Sequence, residues 1–370
     1  MWLTETDTMK NICFLIGNLN SSGGTERVTS LIANELVQRH YNILILSLVD
    51  GSNPFFNLDK HIQTHTLYPK KISFKSNFVG AVWKIRQFLK NHKVNILVVV
   101  DSISCLFTVP ATVGLDVKHL CWEHFNFKNN NGTGLRDISR VWAARYCDYV
   151  ITLTERDKEL WQQGLNKIKA NIIAIPNPTA YENVDHFPRL DAKVVLALGH
   201  LTQVKGFDLL IQAWSQVCRD NNDWMLCILG SGEEEEALKN QAKSLNIADR
   251  IDFVAATKKV EQYYSACSFY CLSSRFEGLP MVLLEAQAFG LPIISFDCET
   301  GPSEVVVDNI NGWLVDNGNV EALSERLLTA INIDNSTYQA LSKQAKSSSQ
   351  RFLVSHVVNS WNDILSDNNL

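Results

Sequence analysis

The 370-residue sequence has no Cys-x-x-Cys pair, no excess of basic charge and no apolar run near the ~18 residues that a membrane span needs. Each lack excludes something. Its nine cysteines are odd in number and irregularly spaced, and several sit inside apolar runs such as Met225-Leu-Cys-Ile-Leu229. They read as buried thiols in a reducing compartment, not as disulfides or zinc ligands. A formal net charge of −5 gives no overall basic character to invite nucleic acid. No signal peptide is visible: residues 1–8 are largely polar and read as a frayed leader, and Met9-Lys10 opens the first apolar run. The expected location is the cytoplasm or the inner face of the cytoplasmic membrane. The chain also lacks a Gly-x-Gly-x-x-Gly fingerprint and a Walker loop.

What is present is a globular composition, 46% hydrophobic and 20% charged, in a chain long enough for two domains. Short apolar runs rich in β-branched residues recur at Ile12–Ile16, Ile43–Val49, Ile96–Val100, His119–Trp122, Tyr149–Leu153 and Ile172–Ile175. Longer stretches with helical spacing separate them. Strands without polar alternation, joined by helices, predict a parallel sheet covered on both faces. Ile175-Pro-Asn-Pro178 and the polar stretch to Asp191 interrupt the pattern. It restarts at Val194–Leu198, Met225–Leu229, Ile251–Val254, Phe269–Leu272 and Pro292–Phe296. Val320–Leu370 reads as helical, with a break near Asp334–Thr337. The expected fold is α/β, with two Rossmann-like doubly wound domains facing a cleft and a helical C-terminal segment. The expected boundaries are a leader at 1–8, an N-terminal domain at 9–190, a C-terminal domain at 191–350, and a final helix at 351–370 returning toward the N-terminal domain.

Several strand-to-helix loops carry candidate chemistry. Gly23-Gly24, after the first strand, allows close backbone approach and opens a helix whose first N–H groups suit an anion. Cys121-Trp-Glu-His124 ends a strand, where α/β active sites gather; His124 is either a ligand to a sugar or phosphate or a structural histidine, and Glu123 is ambiguous in the same way. Gly199-His-Leu-Thr-Gln-Val-Lys-Gly206 offers Lys205 as a mobile charge for phosphate. Leu229-Gly-Ser-Gly232, with Gly230, suits a turn at the strand ends. The following Glu233–Glu236 reads as a solvated helix start. The most specific stretch is Ser273-Ser-Arg-Phe-Glu-Gly-Leu-Pro-Met-Val-Leu-Leu-Glu285. The N–H groups of Gly278, Leu279 and Met281 are placed for an anion at a helix start, and Glu285 lies inside an apolar helix where a charge needs a defined partner. Asp297–Glu304 forms a further turn with no clear preference between a structural and a functional role.

Together these motifs resemble the retaining glycosyltransferases of family 4, which share the GT-B fold. The likeness spans nearly the whole chain: Gly23-Gly24-Thr-Glu-Arg27, Pro176-Asn-Pro178, Gly199–Gly206, Leu229–Gly232 and Phe276-Glu-Gly-Leu-Pro280 fall in family order. Glu277 and Glu285 match the family's Glu-x7-Glu motif. Trp122-Glu-His124 and Asp297–Glu304 are similar to bacterial enzymes that build lipopolysaccharide, O-antigen and exopolysaccharide. The resemblance implies a hexose or N-acetylhexosamine donor bound as a nucleotide-sugar, most simply a UDP-sugar, and a saccharide or polyprenyl-diphosphate-linked saccharide acceptor. It implies that Glu277 contacts the donor sugar, Glu285 the ribose hydroxyls and His124 the sugar. It gives Lys205 the diphosphate and the Gly23-Gly24 loop the diphosphate and acceptor. Gly230, Gly278 and Leu279 line the donor site, and no metal or other cofactor is expected. One position departs. The family usually carries Arg-Leu where this chain has His200-Leu201, and Arg275 is the candidate to compensate at the diphosphate.

Between Lys60 and Lys93 lie eight Lys or Arg and no acidic residue, interleaved with Tyr68, Phe74, Phe78, Trp83 and Phe88. Lys70, Lys71, Lys75, Trp83, Lys84 and Arg86 are the candidates for an anionic membrane surface or a polyanionic acceptor. The alternative is that the apolar stripe Phe78, Val82, Ile85 and Leu89 faces the core and the lysines are merely solvated. The competing functions are a nucleotide-sugar 2-epimerase of the same fold and a non-catalytic partner subunit. Intact Glu277, Glu285 and Lys205 favour the transferase.

Overall fold

The computed structural model describes residues 9–73, 76–129 and 134–367, so the expected leader and Lys75 lie outside the described residues. The chain divides into two compact units, Met1–Pro178 with Val354–Leu370, and Thr179–Leu353. The division falls at Pro178–Thr179 rather than at 190/191.

The first unit holds seven strands: β1 (Asn11–Ile16), β2 (Asn42–Val49), β3 (Gln63–Tyr68), β4 (Ile96–Val100), β5 (Lys118–Trp122), β6 (Tyr149–Thr152) and β7 (Asn171–Ala174). They pair in parallel in the order β3-β2-β1-β4-β5-β6-β7. Central β4, Ile-Leu-Val-Val-Val, is buried at every position, as a strand covered on both faces must be. Edge strand β3, Gln-Thr-His-Thr-Leu-Tyr, has no fully buried residue. That polarity hid it in the sequence. The connecting helices are α1 (Gly24–Gln38), α2 (Phe78–Asn91), α3 (Cys105–Thr112), α4 (Gly134–Tyr146) and α5 (Glu155–Gly164). In α1, Val28, Ile32, Ala33 and Leu36 are buried, a spacing that lays one face of the helix on the sheet.

The second unit holds β8 (Val194–Leu198), β9 (Met225–Leu229), β10 (Ile251–Val254), β11 (Phe269–Leu272), β12 (Ile293–Asp297) and β13 (Gly312–Asp316), in the parallel order β10-β9-β8-β11-β12-β13. The chain runs outward from β8 through β9 to β10, then crosses to β11 on the other side. The ends of β8 and β11 are therefore the switch point at which α/β sheets bind ligands. The helices are α6 (Phe207–Asp220), α7 (Glu235–Ser244), α8 (Val260–Ala266), α9 (Met281–Ala288), α10 (Pro302–Val305), α11 (Val320–Ile331) and α12 (Asn335–Ser349). The break read near Asp334–Thr337 is a helix start: the Asp334 side chain accepts from Thr337 N at 3.0 Å.

The last helix, α13 (Val354–Ser366), belongs to the first unit. Its Trp361 is fully buried, with ring centroids 4.8 Å from Trp122 and 6.3 Å from Phe14. Tyr41 OH donates to Asn362 Oδ1 at 2.8 Å, and Lys118 Nζ to the Ile364 carbonyl at 2.8 Å. Among the described residues, no helix is long and apolar enough to cross a membrane.

Candidate active site

In the second unit three strand-end loops interlock through glycines. Gly206 has φ +64°, and a Cβ there would lie 2.0 Å from the Ser273 carbonyl oxygen. A Cβ on Gly230 would lie 1.9 Å from the Gly199 carbonyl oxygen. Only glycine lets the loops after β8, β9 and β11 approach this closely. Ser273 Oγ also donates to the Lys205 carbonyl at 3.0 Å. Across this junction Lys205 Nζ meets Glu277 Oε1 at 2.7 Å, so the two loops at the switch point present one cation and one carboxylate side by side. The Glu277 carbonyl accepts from Thr300 Oγ1 at 2.6 Å. Gly301, at φ +102°, fits the Thr300 turn against Gly278 and Pro280, where a Cβ would come within 2.7 Å of the Gly278 carbonyl oxygen. Pro280 is the N-cap of α9 in extended conformation, with Leu279 buried behind it.

Glu285 is buried in α9 and accepts from Tyr264 OH on α8 at 2.8 Å. Burial, and then Glu285, holds the Tyr264 phenol well above its usual pKa, so it stays a donor. Tyr270 OH on β11 both donates to the Leu198 carbonyl at 3.2 Å and accepts from the Leu198 N–H at 3.3 Å, closing the end of β8. His200 is exposed. Arg275 is already engaged: its two terminal nitrogens donate to the Asp208 carboxylate at 2.8 and 2.7 Å, and Nη1 donates to the Gln203 carbonyl at 2.7 Å. The hydrogen bond to Arg275 lowers the Asp208 pKa. Arg275 braces the Lys205 loop through the Gln203 carbonyl, and compensating for His200 would require breaking its bidentate pair with Asp208.

In the first unit Gly23 is the N-cap of α1, with φ −76°. The Glu26 carboxylate folds back to accept from the Gly23 N–H, and burial raises its pKa. One amide of the expected anion site is thus taken by a capping-box contact. At the end of β5 the Glu123 side chain is structural. It accepts from Ser102 Oγ at 2.6 Å, Arg140 Nε at 3.2 Å, and the His124 and Phe125 N–H groups at 3.0 and 3.1 Å. Arg140 also donates to the carbonyls of Asn126, Phe127 and Asn129. Asp157 Oδ1 accepts from the Phe127 N–H at 2.7 Å, and burial pushes that carboxyl up to about 7. This buried frame holds His124, whose ring centroid lies 4.4 Å from that of Trp122 and whose Nε2 is buried with no partner among the described residues.

Residues 22–182 match the family described as Glycosyltransferase Family 4, and residues 182–348 match Glycosyl transferases group 1. An uncharacterized glycosyltransferase of Haemophilus influenzae is 38% identical over 96% of this chain and 100% of its own length. The chain belongs to the GT-B glycosyltransferases of family 4. A Campylobacter jejuni relative, named for α-1,4-N-acetyl-D-galactosaminyl transfer to an undecaprenol-diphosphate-linked glycan, is 27% identical over 97% of this chain and 99% of its own. The structure of Anabaena HepE in complex with UDP and glucose superposes with a TM-score of 0.80 at 20% identity, covering 97% of this chain and 100% of that one.

In this glycosyltransferase the fold brings together Lys205, Glu277, Gly278 and Gly230, and buries Glu285 within α9. Tyr264, Tyr270, Thr300 and Asp208 escaped sequence reasoning because their partners are far along the chain. Of the stripe Phe78, Val82, Ile85 and Leu89 that the plainer reading sends to the core, Ile85 and Leu89 are buried with Ala81, Val82 is half-buried and Phe78 is exposed. The exposed apolar side chains of α2 are instead Phe78, Val79 and Trp83. Arg86 is tied to the carbonyls of Ala111 at 2.9 Å and Val113 at 2.7 Å, and so anchors the end of α3 rather than a ligand. Lys84 lies over the Tyr68 ring at 4.0 Å, while Lys70 and Lys71 are exposed.

Burial lowers the His124 pKa to about 4 from a model-peptide value of about 6.5. The native state therefore binds fewer protons than the unfolded one between these values. The stability His124 contributes is present above about pH 6.5 and is lost as pH falls toward 4. Unfolding free energies measured across this range should fall less steeply in His124→Gln than in the native chain. Equal slopes would show that the ring is not desolvated.

Proposed function

We propose that this glycosyltransferase moves a hexose or N-acetylhexosamine from a UDP-sugar, with retention of configuration and without a metal, to a saccharide or lipid-linked saccharide acceptor in bacterial cell-surface polysaccharide synthesis. The observation that carries the reading is the Lys205–Glu277 pair, 2.7 Å apart at the switch point and framed by close-packed glycine loops. Breaking the bond between the anomeric carbon and the diphosphate builds negative charge on the departing phosphate and positive charge on the sugar. Lys205 meets the first and the Glu277 carboxylate the second, and fixed charges aimed at developing charge are the largest catalytic term available to a protein. Neither role needs a metal. The Campylobacter relative supports an N-acetylhexosamine and a polyprenyl-linked acceptor, and HepE supports UDP.

The test is a screen for nucleoside diphosphate release with UDP-galactose, UDP-glucose, UDP-N-acetylhexosamines and GDP-mannose, with and without chelator, beside Glu277→Ala. Turnover of one UDP-sugar that resists chelator and is lost in the variant is the expected outcome. Release that stops on chelation would overturn metal independence, and tight donor binding with no release on any lipid-linked acceptor would overturn the transferase reading.

The acceptor side is proposed to dock on anionic lipid through Lys70, Lys71, Lys75, Lys84 and the exposed Trp83. Co-sedimentation with phosphatidylglycerol vesicles should exceed that with phosphatidylcholine, and Lys70→Glu/Lys71→Glu with Trp83→Ser should lower it several-fold. Binding equal to both vesicle types would remove the membrane from the account.

A further inference from the structure

The irregular spacing of the cysteines gave no metal signature, yet the fold sets two of them beside a histidine. In the core of the first unit, ligand atoms of Cys105, His119 and Cys147 lie within 4.8 Å of one another. The Cys121 thiol is a further neighbour of Cys105 in this core. The elements dictate this meeting. His119 and Cys121 are two apart on β5 and so share one face of the sheet. Cys105 opens α3, and Cys147 directly follows α4, its N–H donating to the Ala143 carbonyl at 3.0 Å. All four side chains are buried.

The histidine shows the chemistry. Thr108 Oγ1 donates to the Ser104 carbonyl at 3.3 Å, so it accepts from His119 Nε2, 3.0 Å away. In that arrangement the proton sits on Nε2 and Nδ1 is the lone-pair nitrogen. Nδ1 is buried and has no hydrogen-bond partner among the described residues. A buried acceptor without a donor costs about 1–3 kcal/mol, and the ring is oriented from behind by a hydroxyl, as a metal-ligating histidine is.

We propose that Cys105, Cys147 and His119 Nδ1 form a buried structural site for a zinc-type divalent cation. Thiolate and imidazole are the ligands such a cation prefers, at metal–ligand distances of about 2.0–2.3 Å. On binding, the ligating thiols release their protons to solvent and become thiolates. Two thiolates balance a divalent charge, which suits a core where an uncompensated charge costs several kcal/mol. The ion braces β5 and α4 behind the loop that carries His124. This inference does not rest on the proposed transfer reaction, and it is compatible with transfer that uses no metal.

The test is elemental analysis of the tag-free native chain, followed by cobalt substitution. The expected result is about one zinc per chain, a sulfur-to-cobalt charge-transfer band in the near ultraviolet, and a melting temperature that falls on exhaustive chelation. Cys147→Ser and His119→Gln should each lose the band. Should these variants fail to fold, the native chain decides alone. A native chain without bound metal, whose melting temperature and ultraviolet spectrum do not change when zinc or cobalt is added, overturns the proposal. So does metal that stays bound at full stoichiometry in both variants.

Discussion

Lys205→Ala is expected to lower kcat for donor turnover by about 100- to 1,000-fold, the usual effect of removing one group aimed at charge that develops in the transition state. Lys205 and Glu277 form the ion pair at the switch point, 2.7 Å apart, and the lysine is part-exposed on the loop after β8. The exposed His200 brings no permanent charge, and the Arg275 guanidinium is held by Asp208 and Gln203. On the proposed reading, Lys205 is therefore expected to carry more of the diphosphate charge than it would beside a free arginine. Because the pair is partly solvated, its loss should change stability by only about 0–1 kcal/mol. Steady-state kinetics with the preferred donor and a melting curve on the same sample separate the two effects. A kcat within about threefold of native would remove Lys205 from the leaving-group site.

The second large effect concerns stability. Arg140 is buried and fills its donors with Glu123 and the carbonyls of Asn126, Phe127 and Asn129. Arg140→Ala leaves three carbonyls without their donor and strips Glu123 of its nearest cation, with Arg136 still 3.4 Å away. Burial already pushes the Glu123 carboxyl above its usual range, opposed by Arg140, Arg136 and Ser102. Breaking such a pair costs about 3–5 kcal/mol. Urea unfolding should show a loss of that size for Arg140→Ala and a smaller one for Glu123→Gln, which keeps its shape and sheds its charge. A loss below about 1 kcal/mol would mean that the frame around His124 is not held by this network.

The sequence revealed most where the physics is local. Every expected strand is present because β1, β4, β9 and β11 are continuous apolar runs between turn signals, and a sheet covered on both faces requires that pattern. The strands that escaped are β3, whose edge position tolerates Gln63, Thr64 and His65, and β13, where Gly312 and Asp316 bound a short run. Lys205, Glu277 and Gly278 were legible because strand-end loops with glycine announce close backbone approach. The Tyr264–Glu285 contact, the Arg275–Asp208 pair and the Arg140–Glu123 frame were not, because each joins elements distant in the chain with no spacing to betray it. The cysteines show the same limit: their intervals carried no motif, and only the packing of α3 and α4 on β5 made neighbours of Cys105, Cys121 and Cys147.

The most direct test of the account is proton NMR of the glycoside formed from the preferred UDP-sugar, read for anomeric configuration in the native chain and in Glu277→Ala. The account predicts an α-linked product from an α-linked donor in the presence of chelator, and no product from the variant. A β-linked product, or full transfer by Glu277→Ala, would contradict it.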